Sequence, residues 1–516
     1  MSSPRAAEVL SNEDMQVAEL NSEYLGVTNF QLMEAVGAKA ASEIIARMPK
    51  GKPNPKVHVF SGPGKNGGDG FSIARHLTSM GLRVKVTLVS RTAEVNDYAA
   101  RQQLTAILQM KESVEFEAAH DSSQLKAIEA ELIVDSLLGT GVKGPLREPL
   151  LGAVRALNKS RGFKVAVDIP SGLDTDTGEP HGDAVKADLT ICLHKTKKGL
   201  LEAKQYVGTL VVLPIGIPLE AELFTGPGDF KVLWKPRPDE SRKGDFGRLL
   251  VIGGSENFTG APAFAALAAT KIGTDLVYVA APQKTAEIIT SYSPDLISIK
   301  LPGEHLSPRA LPELSRWTSN MDAIVLGPGI GIHDETADSV WKLISEAESL
   351  KKPLVLDADA LKVFGRRRRK LRTPCIITPH AGEFAAVAQR KLSSEIELNK
   401  EAAAQLAKEL GSTVVLKGHV DIIANANGRV RLNRTGNPYM TVGGTGDILS
   451  GLAGGLLAQH VEPFRAGCAA VFLNGLAGDI MISEKVPTIT PSALVDYLPK
   501  AMRYCIEGPP YPAISK

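Results

Sequence analysis

The stretch "NPYMTVGGTGDILSGLAGGLL", Asn437 to Leu457, ends a glycine turn on an acid, Asp447, and runs straight into a helix of small residues. A helix N-terminus carries unpaired N–H groups and partial positive charge, and glycines let backbone approach a phosphate closely. Gly443, Gly444, Thr445 and Gly446 therefore read as an anion hole. An acid that merely repelled phosphate would be misplaced there. It makes sense as a base that takes a proton from a hydroxyl attacking that phosphate. The plainer reading of Asp447 is a helix cap. A second stretch, "SGPGKNGGDGFSIARHL" (Ser61 to Leu77), again sets a glycine turn and an acid beside a helix start, so the chain offers two candidate anion sites.

Outward from these turns, short β-branched runs alternate with helical patterns, as in a mostly parallel sheet covered on both faces. In the first half the strands are Lys56–Ser61, Arg83–Val89, Leu132–Asp135, Lys164–Asp168, Leu189–Leu193 and Thr209–Leu213, with a helix over Gly70–Met80. The alternation lapses over Glu220–Gly247, which reads as a linker or loop-rich domain entrance. It resumes at Arg248–Gly253 and continues through Leu276–Ala280, Ala323–Leu326, Leu354–Asp357, Cys375–Thr378 and Thr413–Lys417. Two α/β domains follow, 1–225 and 226–516. A chain of 516 residues exceeds one ordinary core.

The net charge of +2 makes no electrostatic case for nucleic acid. The "RRRRK" run, Arg366–Lys370, is expected to be a solvated loop. Four separated cysteines without a CxxC pair argue against a disulfide scaffold or a zinc site and fit a reducing cytosol. No signal peptide or bilayer-spanning apolar run is expected.

Further strand ends in the second half carry "GGSENFTGAPAFAALAA" (from Gly253), "GPGIG" (from Gly327), "TPHAGEF" (from Thr378) and "KGHVD" (from Lys417). Together with NPYMTVGGTGD they resemble ribokinase-like enzymes, and within them the ADP- or ATP-dependent NAD(P)H-hydrate dehydratases. The resemblance implies that Lys417, Gly418, His419, Val420, Asp421, Asn437, Gly443, Gly444, Thr445 and Gly446 hold the nucleotide. It implies a hydrate site lined by Ala263, Gly331, His380, Ala381, Gly382, Glu383, Phe384, Ala385 and Ala386, with Asp447 as catalytic base. It also implies Mg²⁺, since phosphoryl transfer needs its charge neutralised.

In the first half, "QLMEAVG" (from Gln31), GPGKNGGDGFSIARHL, "DSLLGTGVKGP" (from Asp135) and "DIPSGLD" (from Asp168) resemble the NAD(P)H-hydrate epimerases. The implied hydrate contacts are Lys65, Asn66, Gly67, Gly68, Asp69, Gly139, Thr140, Gly141, Val142, Lys143, Gly144, Pro145 and Asp168, with Asp168 as proton shuttle. Asn66, Asp135 and Ser171 would hold K⁺. Lys65 stands where that family usually has asparagine. "HKTKKG", His194–Gly199, reads as a solvated basic loop, with Lys197 a candidate to assist catalysis.

The expected architecture is α/β throughout: an N-terminal Rossmann-like three-layer α/β/α sandwich and a C-terminal ribokinase-like α/β domain. The expected activity is two-step repair of hydrated NADH and NADPH (NADHX and NADPHX) using ADP or ATP, in a cytoplasmic homo-oligomer. The rival is a ribokinase-like kinase of a small molecule carrying a catalytically idle N-terminal nucleotide-binding or scaffolding module.

Overall fold

Seven strands in the first 218 residues form one parallel sheet in the computed structural model, which describes residues 9–49, 54–141 and 144–508. They are β1 (Val57–Ser61), β2 (Val84–Leu88), β3 (Val114–Ala118), β4 (Glu129–Ser136), β5 (Arg161–Val167), β6 (Leu189–Leu193) and β7 (Thr209–Leu213). Their order is β3-β2-β1-β4-β5-β6-β7. Alternate residues of a strand face opposite sides of its sheet. Leu132 and Val134 accordingly enter one apolar cluster and Ile133 another, so cores lie on both faces and the unit is a three-layer sandwich. The order reverses between β1 and β4, and a crevice at such a switch point is where ligands bind in open α/β sheets.

Helix α1 spans Lys65–Ser79 and starts five residues before the expected Gly70. Its glycines are packing sites as well as turn residues. A Cβ on Gly67 would fall 1.8 Å from the Gly62 carbonyl oxygen, and one on Gly68 would fall 2.6 Å from Met33 Cε. The sequence KNGGDG therefore winds into helix against its own preceding loop, despite the usual helical cost of glycine.

The second unit starts at Leu219. Its sheet has strands β8 (Arg248–Ile252), β9 (Leu276–Pro282), β10 (Ile297–Leu301), β11 (Ala323–Leu326), β12 (Leu354–Leu356), β13 (Cys375–Ile377), β14 (Thr413–Leu416), β15 (Asp421–Ala424) and β16 (Val430–Asn433). The order is β10-β9-β8-β11-β12-β13-β14-β15-β16, parallel except at the last two pairings. Leu249 and Val251 face one core while Leu250 and Ile252 face another. The second unit is thus a mostly parallel sheet with an apolar core on each face.

Residues 219–247 are less of a linker than their prolines and charges suggest. Thr225 N–H donates to the Leu432 carbonyl at 2.8 Å, and Phe230 is buried. Arg431 meets the buried Asp229 carboxylate at 3.1 Å. These contacts tie the segment to β16, and the division into compact units falls at 218/219, a few residues before 225. The Arg366–Lys370 run is likewise less solvated than expected. Arg369 pairs with Glu348 at 2.6 Å and lies over the Trp341 ring. Among the described residues one helix, Pro463–Ser483, is long and apolar enough to cross a membrane by length and composition, although Arg465, Asn474 and Asp479 interrupt its apolar run. Most of it is buried in the core of the second unit.

Candidate active sites

In the first unit, β4 ends on Asp135 and Ser136, and β5 leads directly into Asp168. Asp135 is sealed from solvent and accepts bonds from Ser171 Oγ at 2.6 Å and Ser171 N–H at 2.8 Å. Burial pushes its carboxyl up to about 6, against those hydrogen bonds. Asn66, in the first turn of α1, is buried, and neither its Oδ1 nor its Nδ2 has a hydrogen-bond partner. A buried amide left unpaired costs about 1–3 kcal/mol, so Asn66 is placed to bind something. Gly139 brings the two parts together. A Cβ there would lie 3.3 Å from Asn66 Cβ and 3.5 Å from Asp168 Oδ2.

Asp168 has φ of +67°, a left-handed conformation rare outside glycine and often found at functional sites. Its Oδ1 receives the Lys197 ammonium at 2.5 Å, which also donates to the Leu193 carbonyl at 2.7 Å. Lys197 is 1% exposed, so the solvated-loop reading of HKTKKG fails at this residue. Burial opposes its positive charge, but the Asp168 carboxylate leaves its pKa raised. Thr196 and Lys197 pair in parallel with Val9 and Leu10, and that short ladder helps bury the lysine. With Oδ1 taken by Lys197, Oδ2 is the Asp168 oxygen turned toward Gly139. Burial, then the Asp168 charge, pushes Asp69 well above the usual carboxylate range.

The remaining expected contacts are less uniform. Lys65 reaches Glu19 at 3.0 Å, so its charge is already engaged. The Thr140 carbonyl accepts from Asn12 Nδ2 at 2.7 Å. A Cβ on Gly141 or on Gly144 would meet no atom within 4 Å, and Pro145 follows in the same loop. Val142 and Lys143 lie outside the described residues.

In the second unit, helix α2 (Gly260–Lys271), helix α3 (Ala381–Ala388) and helix α4 (Thr445–Ala458) frame the other site. Gly444 caps α4 with φ of +108°, and Ile448 N–H is the first to bond back, to the Gly444 carbonyl. Thr445, Gly446 and Asp447 thus present first-turn N–H groups without intrahelical acceptors. Gly443 is open, with nothing within 4 Å of a built Cβ. Lys417 Nζ lies 3.3 Å from where a Gly446 Cβ would stand, which sets a cation beside the anion hole. Nζ also contacts Asp357 Oδ1 at 3.1 Å and Glu383 Oε2 at 3.9 Å.

Burial, then the neighbouring Asp357 carboxylate, pushes Asp447 up to about 7, with Lys417 opposing. A carboxylate tuned to that value suits proton abstraction near neutral pH. His380 caps α3: its Nδ1 accepts from Gly382 N–H at 3.0 Å, while Glu383 Oε2 accepts from His380 N–H at 2.9 Å. Burial also raises Glu383, against Lys417.

Not every expected residue points a side chain into this site. Ala263 and Phe384 are core residues, while Ala381, Gly382 and Ala386 are exposed and Ala385 is partly so. Asn437 donates to Asp479 at 3.0 Å and accepts from Tyr439 N–H, so its amide is committed to shaping the turn. Asp421 closes the 418–421 turn by accepting from Gly418 N–H at 3.0 Å, with His419 and Val420 at its tip. Gly331, at φ +79°, donates its N–H to Asp359 Oδ2 at 3.0 Å.

Sequence reasoning overlooked Asp357 and Asp359. The available signal was an acid at or directly after the end of a buried strand, as at Asp135 and Asp168. The residue that follows, Ala358, has φ of +49°.

Residues 249–500 match the family described as NAD(P)H-hydrate dehydratase, and residues 29–199 match the family described as YjeF-related protein N-terminus. The bifunctional NAD(P)H-hydrate repair enzyme Nnr of Hyperthermus butylicus is 41% identical over 97% of this chain and 93% of its own length. Its namesake in Pyrobaculum aerophilum is 42% identical over 97% of this chain and 99% of its own. Among solved structures, an ADP/ATP-dependent NAD(P)H-hydrate dehydratase from Bacillus subtilis aligns with 27% identity and a TM-score of 0.48, covering 55% of this chain and 98% of that one.

Proposed function

The chain belongs to the bifunctional NAD(P)H-hydrate repair enzymes, and we propose that it carries out the two activities with two separate carboxylate–lysine sites, one in each unit. The enzyme epimerises the R and S forms of hydrated NAD(P)H and dehydrates the S form to NAD(P)H. The observation that carries the site assignment is Asp447, which stands in the first turn of α4 beside the unpaired N–H groups and is tuned to about 7.

In the second unit the terminal phosphates of ADP or ATP lie against the N–H groups of residues 445–447 and the Lys417 ammonium. Asp447 takes the proton from the ring hydroxyl, whose oxygen attacks the terminal phosphorus and displaces the rest of the nucleotide. Phosphate is a better leaving group than hydroxide. The ring-nitrogen lone pair expels it, and loss of a neighbouring proton restores the dihydropyridine. Asp357 and Glu383 contact a single lysine, Asp447 lies within its electrostatic reach, and these carboxylate oxygens suit Mg²⁺. When bound, that ion neutralises phosphate charge which the acids alone would repel.

In the first unit Asp168 Oδ2 moves the proton as the carbon bearing the hydroxyl inverts. Lys197 is a positioning residue that holds Oδ1. Asn66, Asp135 and Ser171 offer an all-oxygen donor set, and the unpartnered Asn66 amide fits K⁺ as their shared ligand. The ion would fix the loop after β4 under the substrate. The units work as a homo-oligomer in the cytoplasm. Fusion joins the activity that regenerates the S form to the one that consumes it.

The test follows recovery of reduced-nicotinamide absorbance from an R/S mixture of hydrated NADH with Mg²⁺ and K⁺, with ADP and ATP in separate reactions. Recovery of both epimers, faster than spontaneous epimerisation with an isolated dehydratase, is expected. A stop at the S fraction removes the epimerase assignment. No recovery with either nucleotide removes the dehydratase assignment.

A further inference from the structure

Three loops at the carboxyl ends of β8, β10 and β11 bring Glu256, His305 and His333 together, outside the residues assigned to the repair chemistry. One donor atom from each lies within 4.8 Å of the others. His333 Nε2 is 3.4 Å from Glu256 Oε1. His305 Nε2 is 3.5 Å from Oε2 of Glu335, the second residue of helix Asp334–Ser349. Neighbouring ligands of a tetrahedral zinc ion, with bonds near 2.05 Å, stand about 3.3 Å apart. Both imidazole–carboxylate spacings match that edge. The two imidazole rings stack at 4.3 Å between centroids, so the histidines are already adjacent.

The cluster stands on a fixed frame. Thr336 Oγ1 donates to the Leu306 carbonyl at 2.8 Å, which ties the His305 loop to the helix that follows His333. Thr336 and Leu306 are buried. Thr285 Oγ1 donates to the Ser255 carbonyl at 2.9 Å, and Ser255 and Phe258 bond to each other across the turn that holds Glu256. The donor side chains themselves are open to solvent: Glu256 is 37% exposed and His333 50%. An ion can enter without any element moving.

We propose that Glu256, His305 and His333 bind a divalent transition-metal ion of the zinc class, with water or Glu335 in the fourth position. Two imidazole nitrogens and one carboxylate select zinc, cobalt or nickel over the all-oxygen preference of Mg²⁺. The site is therefore distinct in chemistry from the nucleotide's Mg²⁺. It is close to the repair site, since His333 Cδ2 lies 3.6 Å from where a Gly331 Cβ would stand. An ion that clamps His333 to Glu256 would stiffen the loop carrying Gly331.

The full chain, stripped with chelator, is dialysed against Zn²⁺ in excess Mg²⁺, and bound metal is counted. Co²⁺ replaces Zn²⁺ in a parallel sample, where four-coordinate binding gives intense visible bands that aqueous Co²⁺ lacks. One equivalent per chain is expected. It should be lost in His305→Ala/His333→Ala and weakened about tenfold or more in Glu256→Gln, with metal-free melting unchanged. His333→Gln alone, at an exposed position, repeats the test should the double variant fold poorly. No saturable binding in Mg²⁺, or binding unaffected by these substitutions, overturns the proposal. Neither result depends on the repair assay.

Discussion

The Asp168–Lys197 pair and the Asp357–Lys417 pair are the same device set to different depths. Each puts a carboxylate just past a buried strand, at or next to left-handed backbone, and meets it with a lysine from farther along the chain. In the first unit the lysine is 1% exposed and its ammonium is also bonded to a backbone carbonyl. In the second the lysine side chain is 20% exposed and leans toward the open N-terminus of α4. A sealed cation can only hold its partner, whereas a half-open one can also greet a phosphate. The difference fits the two chemistries: proton movement on a ring needs a positioned carboxylate, and phosphoryl transfer needs a cation that reaches the ligand.

The largest effect should come from the base beside the anion hole of the second unit. Asp447→Asn keeps the hole and loses the base, so dehydration should fall about 10²–10⁴-fold while nucleotide binding persists. Single-turnover assays beside equilibrium nucleotide binding check both halves of that statement. The same variant should be more stable than the parent at alkaline pH. The folded carboxyl titrates near 7, above its ordinary 3.8, so the folded chain keeps a proton that the unfolded chain has lost. Stability therefore falls as pH rises from about 4 to about 7, and asparagine escapes that loss. Melting curves at pH 4 and pH 8 should show a gain only at the higher value.

Depth separates the two lysines next. Lys197→Met removes the ion-pair partner of the buried Asp168 side chain, a change that costs about 3–5 kcal/mol. Lys417→Met opens Asp357 to water through the space the lysine occupied, and should cost about 1–3 kcal/mol. Denaturant unfolding monitored separately in each unit measures both. Equal losses would mean that the two pairs are equally sealed and would collapse the comparison. Lys197→Met should also abolish epimerisation, and Lys417→Met should raise the KM for nucleotide.

A third expectation is the pH profile of dehydration. A base acts only when ionised, so kcat/KM should climb about tenfold per pH unit below 7 and level above it. A profile flat from pH 5 to pH 9 would remove Asp447 from the role.

Much of this was readable in the sequence, for definite reasons. Central stretches of strand such as 165–167 and Ala323–Leu326 are buried on both faces and read as unbroken apolar runs. Val114–Ala118 (VEFEA) and Ile297–Leu301 (ISIKL) were missed because they are edge strands, whose alternating exposed residues imitate loop. The glycine turn and Asp447 were legible because their chemistry is local, a helix start with its first turn. Lys197 was not, since three lysines in a row of six residues look solvated. Its burial depends on Asp168 and on a ladder with Val9 and Leu10, far away in the chain. Asp357 escaped for a related reason: only the fold brings it to Lys417, 60 residues on.

The smallest structural effect should come at Asn66, and its smallness is informative. A buried amide that serves the fold has hydrogen-bond partners, and removing it costs stability. Both polar atoms of the Asn66 side chain lack them. Asn66→Ala should therefore leave the fold no less stable, since it removes an unpaired amide and no hydrogen bond, while abolishing the dependence of epimerisation on K⁺. Lys197→Met is the opposite case, where function and stability fall together. The two variants, compared in one epimerase assay and one denaturant titration, separate the residue that awaits a ligand from the residue that holds the carboxylate. A destabilisation of Asn66→Ala as large as that of Lys197→Met would mean that the amide is part of the frame, and the K⁺ assignment would lose its main support.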